Sequence, residues 1–392
     1  MSWDIVKLDS IFDISRGGSP RPINDYLTDD IDGINWIMIG DTESGQKYIN
    51  STAKKIKKEG VSKSRAVHKG DFLLTNSMSF GRPYILNIDG CIHDGWLVLS
   101  PINENLSKDY FYFYLGSNEI KSRLASMAAG AVVKNLNKDL VKSLKIPFPP
   151  LEEQKKIAAI LDAADAYRQK TKALIDKYDQ LTQSLFLDMF GDPVTNPKEW
   201  RLSPLGEAID VRDGTHDSPK YIHEGYPLIT SKNIVDGKLN FNDVNLISKS
   251  DFDNINKRSK VDYGDIIMPM IGTIGNPVEV LTTKSFAIKN VALFKKNTDS
   301  PLLIPILLML LKGHYLLHYS HMNNRGGTQK FLSLGAIRKM PVFLPPLQLQ
   351  NQFAERVEQI EKQKQQAEAS LVKAEELFSS LLQRAFKGEL TS

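Results

Sequence analysis

The chain has 392 residues, of which 41% are hydrophobic and 24% are charged, and its formal net charge is +4. This length suits two or three domains, and the composition is typical of a folded soluble protein. The single cysteine, Cys91, excludes an internal disulfide and a cysteine-based zinc site, and it favours a reducing cytoplasm as the compartment.

Two segments bear on targeting and membranes. Residues 1–10 lack the basic and then apolar pattern of a secretory signal. The most apolar run, Leu302–Leu311, is about half as long as a bilayer span and contains Pro305. We therefore expect a buried helix there and no membrane partner.

The sequence contains an internal repeat. Trp3–Leu8 and Asp13–Gly17 match Trp200–Leu205 and Asp210–Gly214 at a constant offset of 197 residues. Further blocks follow in the same order at offsets of 194 to 196, namely Gly70–Leu74 with Gly264–Met268, Gly81–Pro83 with Gly275–Pro277, Lys134–Leu136 with Lys330–Leu332, and Pro149–Leu151 with Pro345–Leu347. A duplicated and fused module explains this order.

Each copy begins with short apolar runs bounded by Gly, Asp or Pro, a pattern that predicts short strands. The predicted strands are 34–39, 72–75, 84–88 and 96–99 in copy one and 264–268, 278–281 and 291–294 in copy two. A helical stretch follows in each copy, near Tyr110–Met127 and Leu302–Tyr319. We therefore predict an α+β fold for both copies, with the strand order left open.

A long helix is predicted at the end of each copy. Pro149–Pro150 disfavours a helix before it, residues 151–190 contain neither Pro nor Gly, and Gly191–Pro193 ends the segment. Apolar residues recur about every 3.5 residues, as in a coiled-coil seam. Leu347–Phe386 repeats the pattern.

The sequence allows two ways in which these helices could pack. Thr171 and Lys364 interrupt the seams, so each helix could pack only on its own domain. A length of about 60 Å exceeds what one domain needs, however, and favours pairing. Duplication predicts a two-fold, antiparallel pair that acts as a spacer longer than one turn of duplex DNA. The predicted domains are a globular domain at 1–150, a central spacer helix at 151–191, a second globular domain at 192–346 and a carboxyl-terminal spacer helix at 347–392.

Positive charge is concentrated on the globular segments. Residues 1–150 carry 19 Lys and Arg against 17 Asp and Glu, residues 191–346 carry 19 against 15, and each helical segment carries 6 against 7. Basic clusters at Lys63–Arg65 and Lys257–Lys260 occupy the same place in both copies. A bound polyanion fits this distribution, and so does a merely solvated surface.

No catalytic or cofactor motif in the sequence is complete. Gly40–Gly45 lacks the Lys-Ser/Thr of a P-loop, and Gly272–Gly275 lacks the rest of a dinucleotide fingerprint. The Asp/Asn-Pro-Pro-aromatic motif with which amino-methyltransferases hold a flipped adenine is missing as well. His314 and His318 are four residues apart, as metal ligands on a helix can be, but they lack the Glu of a metalloprotease motif. We therefore predict no catalytic residues and no metal.

The duplicated motifs form a recognisable set, namely the turn Arg16–Pro20, the strand start Gly70–Asp71, the block Leu144–Pro150 and the helix entry Pro149–Ile157. Together with the tandem layout, this set resembles the specificity (S) subunit of type I restriction–modification systems over essentially the whole chain. Copy two departs from the pattern at Gly214–Pro219, a longer form of the turn, and at Gln348–Gln350, which replaces Glu152–Gln154.

The resemblance implies a DNA-recognition subunit without catalytic activity. Each globular domain would be a target recognition domain that reads one half of a bipartite, asymmetric site in double-stranded DNA. The antiparallel helices would set the spacing and dock two methyltransferase (modification) subunits, which use S-adenosylmethionine to methylate adenine N6. Restriction and translocase subunits would use ATP and Mg²⁺, so that this chain itself would bind no cofactor.

Loops of the globular domains are the predicted DNA-binding segments, because base edges must be reached and phosphates neutralised. The candidates in copy one are Arg16, Ser19, Arg21, Lys63, Arg65, Ser77, Ser79, Arg82, His93, Lys134 and Asn135. Those in copy two are Thr215, His216, Lys220, Lys232, Asn233, Lys257, Arg258, Lys260, Thr273, Lys289, Asn290, Gln329 and Lys330. Arg82 and Asn276 occupy equivalent places but differ chemically, as expected if the copies read different bases.

Three questions stay open at this point. Some helix residues could pack either on a partner chain or within the internal seam, namely Tyr167, Tyr178, Phe186, Met189 and Phe378. A coiled-coil scaffold that binds proteins without reading DNA is an alternative function. An enzyme with an unrecognised nuclease or methyltransferase site is another.

Overall fold

The structure of the chain, a computed structural model, describes residues 3–43, 45–76, 81–102, 104–128, 136–235, 237–271, 275–323 and 332–390. The chain divides into two compact units. Unit 1 consists of Met1–Lys172 and Ala369–Ser392, and unit 2 consists of Ala173–Glu368. Both units mix helices and sheets, which confirms the predicted α+β class.

Unit 1 contains four helices and the short strands between them, together with the end of the last long helix of the chain, counted over its described residues. The helices are α1 (Lys108–Leu115), α2 (Asn118–Ala128), α3 (Lys138–Lys142) and α4 (Leu151–Phe190), the last of which continues into unit 2. The strands are β1 (Asp4–Lys7), β2 (Phe12–Arg16), β3 (Leu27–Thr28), β4 (Ile34–Ile37), β5 (Tyr48–Ile49), β6 (Lys54–Ile56), β7 (Arg65–Val67), β8 (Phe72–Thr75), β9 (Pro83–Leu86), β10 (Gly90–Ile92), β11 (Trp96–Pro101) and β12 (Lys145–Phe148).

The central sheet of unit 1 has the order β2-β11-β8-β9-β5 and is buried on both faces. Side chains alternate between the two faces of a strand. Phe72 and Leu74 of β8 therefore pack in one cluster with α1 and α4, while Leu73 packs in another with Trp96. The second cluster is closed by the sheet β3-β6-β4-β10-β7, and β1 pairs with β12 separately.

Unit 2 contains the corresponding elements. Its helices are α5 (Leu205–Ala208), α6 (Lys249–Ser259), α7 (Ile304–Lys312), α8 (His314–Asn323), α9 (Leu334–Lys339) and α10 (Leu347–Phe386), the last of which ends in unit 1. Its strands are β13 (Leu202–Pro204), β14 (Val211–Asp213), β15 (Tyr226–Ile229), β16 (Ile234–Val235), β17 (Lys238–Leu239), β18 (Asn245–Ile247), β19 (Ile266–Pro269), β20 (Val278–Glu279), β21 (Ala287–Ile288), β22 (Val291–Phe294) and β23 (Pro341–Phe343).

The strand order of unit 2 repeats that of unit 1 for the strands that both units share, although in the described residues its two larger sheets have four and three strands where those of unit 1 have five. Its central sheet β14-β22-β19-β20 corresponds to β2-β11-β8-β9, and β13 pairs with β23 as β1 pairs with β12. The parallel pair of β15 and β21 likewise corresponds to that of β4 and β10. Two units with one topology, at the repeat offset seen in the sequence, support duplication of a single fold.

The helical stretches of the globular segments differ from the prediction of one helix per copy. Each is broken in two, at Gly116 between α1 and α2 and at Gly313 between α7 and α8. Pro305 lies in the first turn of α7, where its missing N–H costs no helical hydrogen bond. The helix around Leu307 and Leu310 is buried, as predicted for the apolar run. Within the described residues, no helix combines the length and the apolar character needed to cross a membrane.

The two long helices have the bounds that the sequence predicts. A buried glutamine anchors the start of each helix to its own unit. Gln154 donates to Pro149 O at 2.8 Å and accepts from Ser107 N at 2.8 Å. Gln350 donates to Pro345 O at 2.8 Å and accepts from Leu303 N at 2.9 Å, so this anchor is also duplicated. The departure at Gln348–Gln350 therefore leaves the anchoring glutamine in place.

Both helices carry a seam of buried and half-buried residues spaced alternately by three and four positions. On α4 these residues are Gln154, Ile157, Leu161, Ala164, Arg168, Thr171, Ile175, Tyr178, Thr182, Leu185 and Met189. On α10 they are Gln350, Phe353, Val357, Ile360, Lys364, Ala367, Leu371, Ala374, Phe378, Leu381 and Ala385. The spacing is that of a coiled coil.

The interpretation of Thr171 and Lys364 as interruptions of the seam was wrong. Thr171 is 7% exposed, and its hydroxyl donates to Tyr167 O at 2.8 Å, which satisfies the buried oxygen within the helix. The side chain of Lys364 is 18% exposed and pairs with Asp179. Both are polar seam residues, which a sequence pattern scored on apolar residues cannot distinguish from gaps.

Contacts inside each unit show that the helix segments run antiparallel. In unit 1, the Arg168 guanidinium lies 4.5 Å from the centre of the Phe378 ring, and Lys172 pairs with Glu375 at 3.3 Å. In unit 2, Lys364 pairs with Asp179 and the Phe186 and Phe353 rings are 5.8 Å apart. In both units, the residue number of the contact on α10 falls as the residue number of its partner on α4 rises. The predicted antiparallel coiled coil is thereby confirmed.

Candidate nucleic-acid interface

The candidate site of unit 1 is formed by two loops at the edge of its sheets. One is the turn that follows β2 at Arg16, and the other is the loop between β10 and β11. Gly17 N donates to Trp96 O at 3.0 Å, and Gly18 N donates to Ile92 O at 3.2 Å. A Cβ on Gly17 would lie 2.0 Å from His93 O, so only glycine permits this approach.

Asp94 lies at the centre of this site. Its carboxylate accepts from the Ser19 hydroxyl at 2.9 Å and lies 3.9 Å from the Arg21 guanidinium. Its backbone oxygen accepts from Asn76 Nδ2 at 2.7 Å and from Arg16 Nε at 3.3 Å. The Ser19 hydrogen bond, opposed in part by burial, holds the pKa of Asp94 below its usual value. The structure thus brings together several predicted residues around an acid that the sequence reasoning missed.

The remaining described candidates of unit 1 lie around this turn or on adjoining strands. Arg65 Nε donates to Arg16 O at 3.4 Å, and both residues line a cleft with Lys138. Lys63 contacts the Tyr26 hydroxyl. His93 accepts from Gly95 N at 2.9 Å, and burial lowers its pKa. Arg82 directly precedes β9, and its N–H donates to the Thr75 hydroxyl at 3.0 Å.

Unit 2 builds the same turn with different side chains. Thr215 N donates to Ile288 O at 3.0 Å, and a Cβ on Gly214 would lie 2.3 Å from that oxygen. Here His216 takes the place of Ser19, and Asn290 takes the place of Asp94. The ring of His216 lies between two acceptors, with Nδ1 2.9 Å from Asn290 Oδ1 and Nε2 2.9 Å from Asp213 Oδ2.

The charges at this second turn are also rearranged. Asp213 stands where unit 1 has Arg16, and it pairs with Arg258 at 3.0 Å. Arg258 also donates to Gly214 O at 3.0 Å, much as Arg65 donates to the turn of unit 1. The hydrogen bond to Asn290, followed in size of effect by the one to Asp213, raises the pKa of His216, although the His216 side chain is 60% exposed. The imidazolium form is favoured because both ring nitrogens face acceptors.

The other candidates of unit 2 are less concentrated at the turn. Lys289 donates to Ser218 Oγ at 2.6 Å beside it. Lys232 lies 3.8 Å from Asp243, and Lys260 lies 2.8 Å from Asp262. The further described candidates on the surface are Lys220 and Lys257, the latter donating to Asn254 Oδ1 at 3.1 Å.

Asn233 has a structural role in unit 2. It is 2% exposed, its Oδ1 accepts from Thr230 N at 3.0 Å, and its amide donates to Asp243 O at 3.0 Å. These bonds close a turn, so its side chain is not presented at the surface. Seven other candidates lie outside the described residues, namely Ser77, Ser79, Lys134, Asn135, Thr273, Gln329 and Lys330.

The histidines flagged as potential metal ligands do not gather into a site in the described part of the chain. His314 lies 3.1 Å from Asp192. Throughout the described residues, no group of three or more His, Cys, Asp or Glu side chains is arranged to hold a metal ion.

Comparison with curated proteins identifies relatives along the whole chain. The EcoBI specificity subunit of a type I restriction enzyme from Escherichia coli is 24% identical over 423 residues, an alignment that covers all of this chain and 87% of that protein. The MjaIX specificity subunit from Methanocaldococcus jannaschii is 23% identical over 423 residues and covers 99% of this chain and 93% of that protein.

Solved structures share the fold. The S subunit of a type I restriction–modification system from M. genitalium matches with a TM-score of 0.57 and 16% identity over 98% of this chain and 96% of that one. A chain from a structure on complex assembly and conformational transition of the type I R-M system matches with a TM-score of 0.60 and 19% identity, over 99% and 98% respectively.

The family profile of the type I restriction modification DNA specificity domain matches twice, at residues 1–177 and 197–373. The second match begins 196 residues after the first, which lies within the 194 to 197 residues by which the repeated blocks are offset. Because the two matches cover most of both copies, the chain belongs to the type I restriction–modification DNA specificity domain family, and its prediction as a specificity subunit rather than an enzyme is confirmed.

Proposed function

We propose that this chain reads a bipartite, asymmetric site in double-stranded DNA, each unit contacting one half. The observation that carries the proposal is the duplicated turn, whose backbone geometry is the same in both units while its side chains differ. Ser19 and Asp94 in unit 1 correspond to His216 and Asn290 in unit 2. Two equivalent scaffolds with different hydrogen-bonding groups suit two different base sequences.

The cations around each turn are placed to neutralise phosphates. Arg16, Arg21 and Arg65 surround the turn of unit 1, and Arg258 and Lys289 surround that of unit 2. Phosphate contacts supply affinity and register, whereas base contacts supply specificity. In this proposal the arginines position the duplex and the residues at the tips of the loops read it.

The long helices set the spacing between the half-sites and dock two methyltransferase subunits. Exposed apolar residues on α4 support the docking role. In unit 1, Ile160 and Tyr167 are 37% and 54% exposed, and in unit 2, Leu174 and Leu181 are 42% and 51% exposed. Within each pair the residues are seven positions apart, so they lie on one face and suit a partner helix.

The five helix residues that the sequence left open, as contacts either to a partner chain or within the seam, differ in burial. Phe186 is 1% exposed and packs against Phe343 and Phe353, and Met189 and Phe378 are each 8% exposed. These three belong to the cores of their own units, whereas Tyr167 is available to a partner. Tyr178 is half-buried in the seam.

The cofactors of the reaction belong to the partners in this proposal. The methyltransferase subunits bind S-adenosylmethionine, and the restriction and translocase subunits use ATP and Mg²⁺. This chain supplies the DNA sequence preference and the surface on which the subunits assemble.

Mapping N6-methyladenine in cells with and without this chain tests the proposal. We expect methylation at one bipartite sequence that vanishes when the chain is deleted and returns when it is restored. An unchanged methylation pattern would contradict the proposal. Duplex-DNA shifts with purified chain would separate it from a protein-binding scaffold, which would bind DNA without sequence preference or not at all.

Arg82→Ala is the corresponding residue-level test. We expect half-site affinity to fall by roughly 1–3 kcal/mol if Arg82 contacts guanine. Asn276→Ala, at the equivalent place in unit 2, is the matched variant and should affect only the other half-site. Unchanged affinity and sequence preference in Arg82→Ala would remove Arg82 from the interface.

A further inference from the structure

We propose that Asp94 of unit 1 and Asn290 of unit 2 are base-reading residues of opposite hydrogen-bond polarity. Asp94 accepts from an exocyclic amino group of cytosine or adenine, whereas Asn290 donates to a base oxygen or ring nitrogen. This inference rests on the proposed function and assigns a chemical preference to each half-site.

Asp94 is anchored by its backbone, which leaves part of its carboxylate exposed. Its carbonyl oxygen is held by Asn76 and Arg16, and its side chain is 46% exposed. Ser19 fixes the orientation of the carboxylate through Oδ1. A side chain held in this way loses little conformational entropy when it binds a base.

Charge explains how an acid is tolerated where DNA binds. An isolated carboxylate would be repelled by the phosphates, but Arg21 lies 3.9 Å from this one and Arg16 bonds to the same residue. The lowered pKa keeps Asp94 anionic, and an ionised carboxylate only accepts hydrogen bonds. In the major groove, the N4 amino group of cytosine and the N6 amino group of adenine are donors, while O6 of guanine and O4 of thymine are acceptors. Asp94 therefore favours the first pair and repels the second.

Asn290 presents the opposite group from the equivalent loop. Its Oδ1 lies 2.9 Å from Nδ1 of His216, so the oxygen is engaged and the amide nitrogen is the group that can donate to a base. The backbone of Asn290 has a φ of 56°, a conformation that Asn and Asp adopt more readily than other non-glycine residues. An aspartate at position 290 is therefore compatible with this backbone, and the side chain at this position decides the hydrogen-bond polarity.

Reciprocal substitutions test the inference on the full chain. Asp94→Asn gives unit 1 the residue of unit 2, and Asn290→Asp does the reverse. Each protein is incubated with randomised duplexes, and the bound sequences are determined. We expect Asp94→Asn to reduce the preference for cytosine or adenine at one position of one half-site by roughly 5- to 100-fold, with the other half-site unchanged. Asn290→Asp should alter a single position in the other half-site.

Ser64→Ala is the control for damage to the turn. The Ser64 hydroxyl donates to Gly18 O at 2.9 Å and to Ile92 O at 3.1 Å, so the variant loosens the backbone of the turn but keeps both Asp94 and Ser19, and the base preference should persist. Equal losses of base preference in Ser64→Ala and Asp94→Asn would overturn the inference, as would wild-type preferences in both reciprocal variants. A wild-type chain that selects no sequence at all would contradict the proposed function itself, and the inference with it. Thermal melting of each variant verifies that the folds are intact.

Discussion

The turns of the two units have the same backbone and nearly opposite electrostatics. Unit 1 places a cation on the turn, Arg16, and an acid on the facing loop, Asp94. Unit 2 places the acid on the turn, Asp213, and neutral or basic residues on the facing loop, Asn290 and Lys289. After a duplication, backbone geometry is constrained by packing in the core, whereas the side chains at the loop tips are free to diverge.

The largest expected effect concerns a buried acid that both units share. Asp71 accepts from His68 N and Asp265 accepts from Asp262 N, each at 2.7 Å. Asp265 also pairs with Lys295 at 2.5 Å and is 1% exposed, whereas the described part of unit 1 offers no ion pair to Asp71. Asp265→Asn should therefore lower the free energy of unfolding by about 3 kcal/mol, because Lys295 loses its buried partner and keeps only the half-exposed Asp262, at 2.8 Å. Asp71→Asn should cost about 1 kcal/mol.

Urea denaturation of both variants measures this difference. Equal losses of unfolding free energy would show that the ion pair adds no stability in unit 2. The turns around Asp71 and Asp265 would then be equivalent in energy as well as in geometry.

The helix anchors should differ less between the units. Gln154→Leu leaves Ser107 N and Pro149 O without their partner, at a cost of about 2 kcal/mol. Gln350→Leu should cost more, because Gln350 also donates to Pro301 O at 2.8 Å. Thermal melting is the measurement, and the exposed Gln348→Leu on the same helix is the control. An effect of the control as large as that of Gln350→Leu would rule out the anchoring role.

The smallest expected effect is a pH dependence of opposite sign at the two turns. His216 has a raised pKa in the folded chain, so its contribution to stability is complete below the ordinary value of 6.5 and is lost as the pH rises through the raised value. Asp94 has a lowered pKa, so its contribution is present above 3.8 and is lost as the pH falls through the lowered value. Solvent screening should keep the His216 contribution below about 1 kcal/mol.

An NMR titration of the histidine rings measures the pKa of His216, with His216→Gln identifying its signals. A value at or below 6.5 would contradict the paired geometry. In the Asn290→Ala variant the pKa should fall, because one of the two acceptors is removed.

Much of the fold could be predicted from periodicity and breakers. The bounds of both long helices follow from Pro149–Pro150, Gly191 and the repeat of the same pattern at Leu347. Strands at 72–75 and 291–294 were predicted with the bounds that the structure has, because they are short and largely apolar runs between turn residues. The breaks at Gly116 and Gly313 were missed, since a single glycine in an apolar stretch does not by itself end a helix.

The candidate site was predictable only in part. The glycine turns and the basic residues around them carry a sequence signal. Arg16 and Ser19 do lie together at the turn of unit 1, and His216 and Asn290 do so at the turn of unit 2. Asp94 carries no such signal, because an acid is not expected at a DNA interface until its neighbouring arginines are known. A comparison of His93–Asp94 with Lys289–Asn290, which stand at one offset in the repeat, could have found it.

The sequence by itself determined the duplication, the α+β class, the two long helices and the family, because each of these depends on patterns along the chain. Tertiary structure decided which polar residues belong to the seam, which aromatic residues are buried and which side chains meet at the turns. Those outcomes depend on contacts between residues far apart in sequence, such as Ser19 with Asp94 and His216 with Asn290. A local pattern holds no record of such contacts, since burial and hydrogen bonding are set by whatever the fold places opposite each side chain.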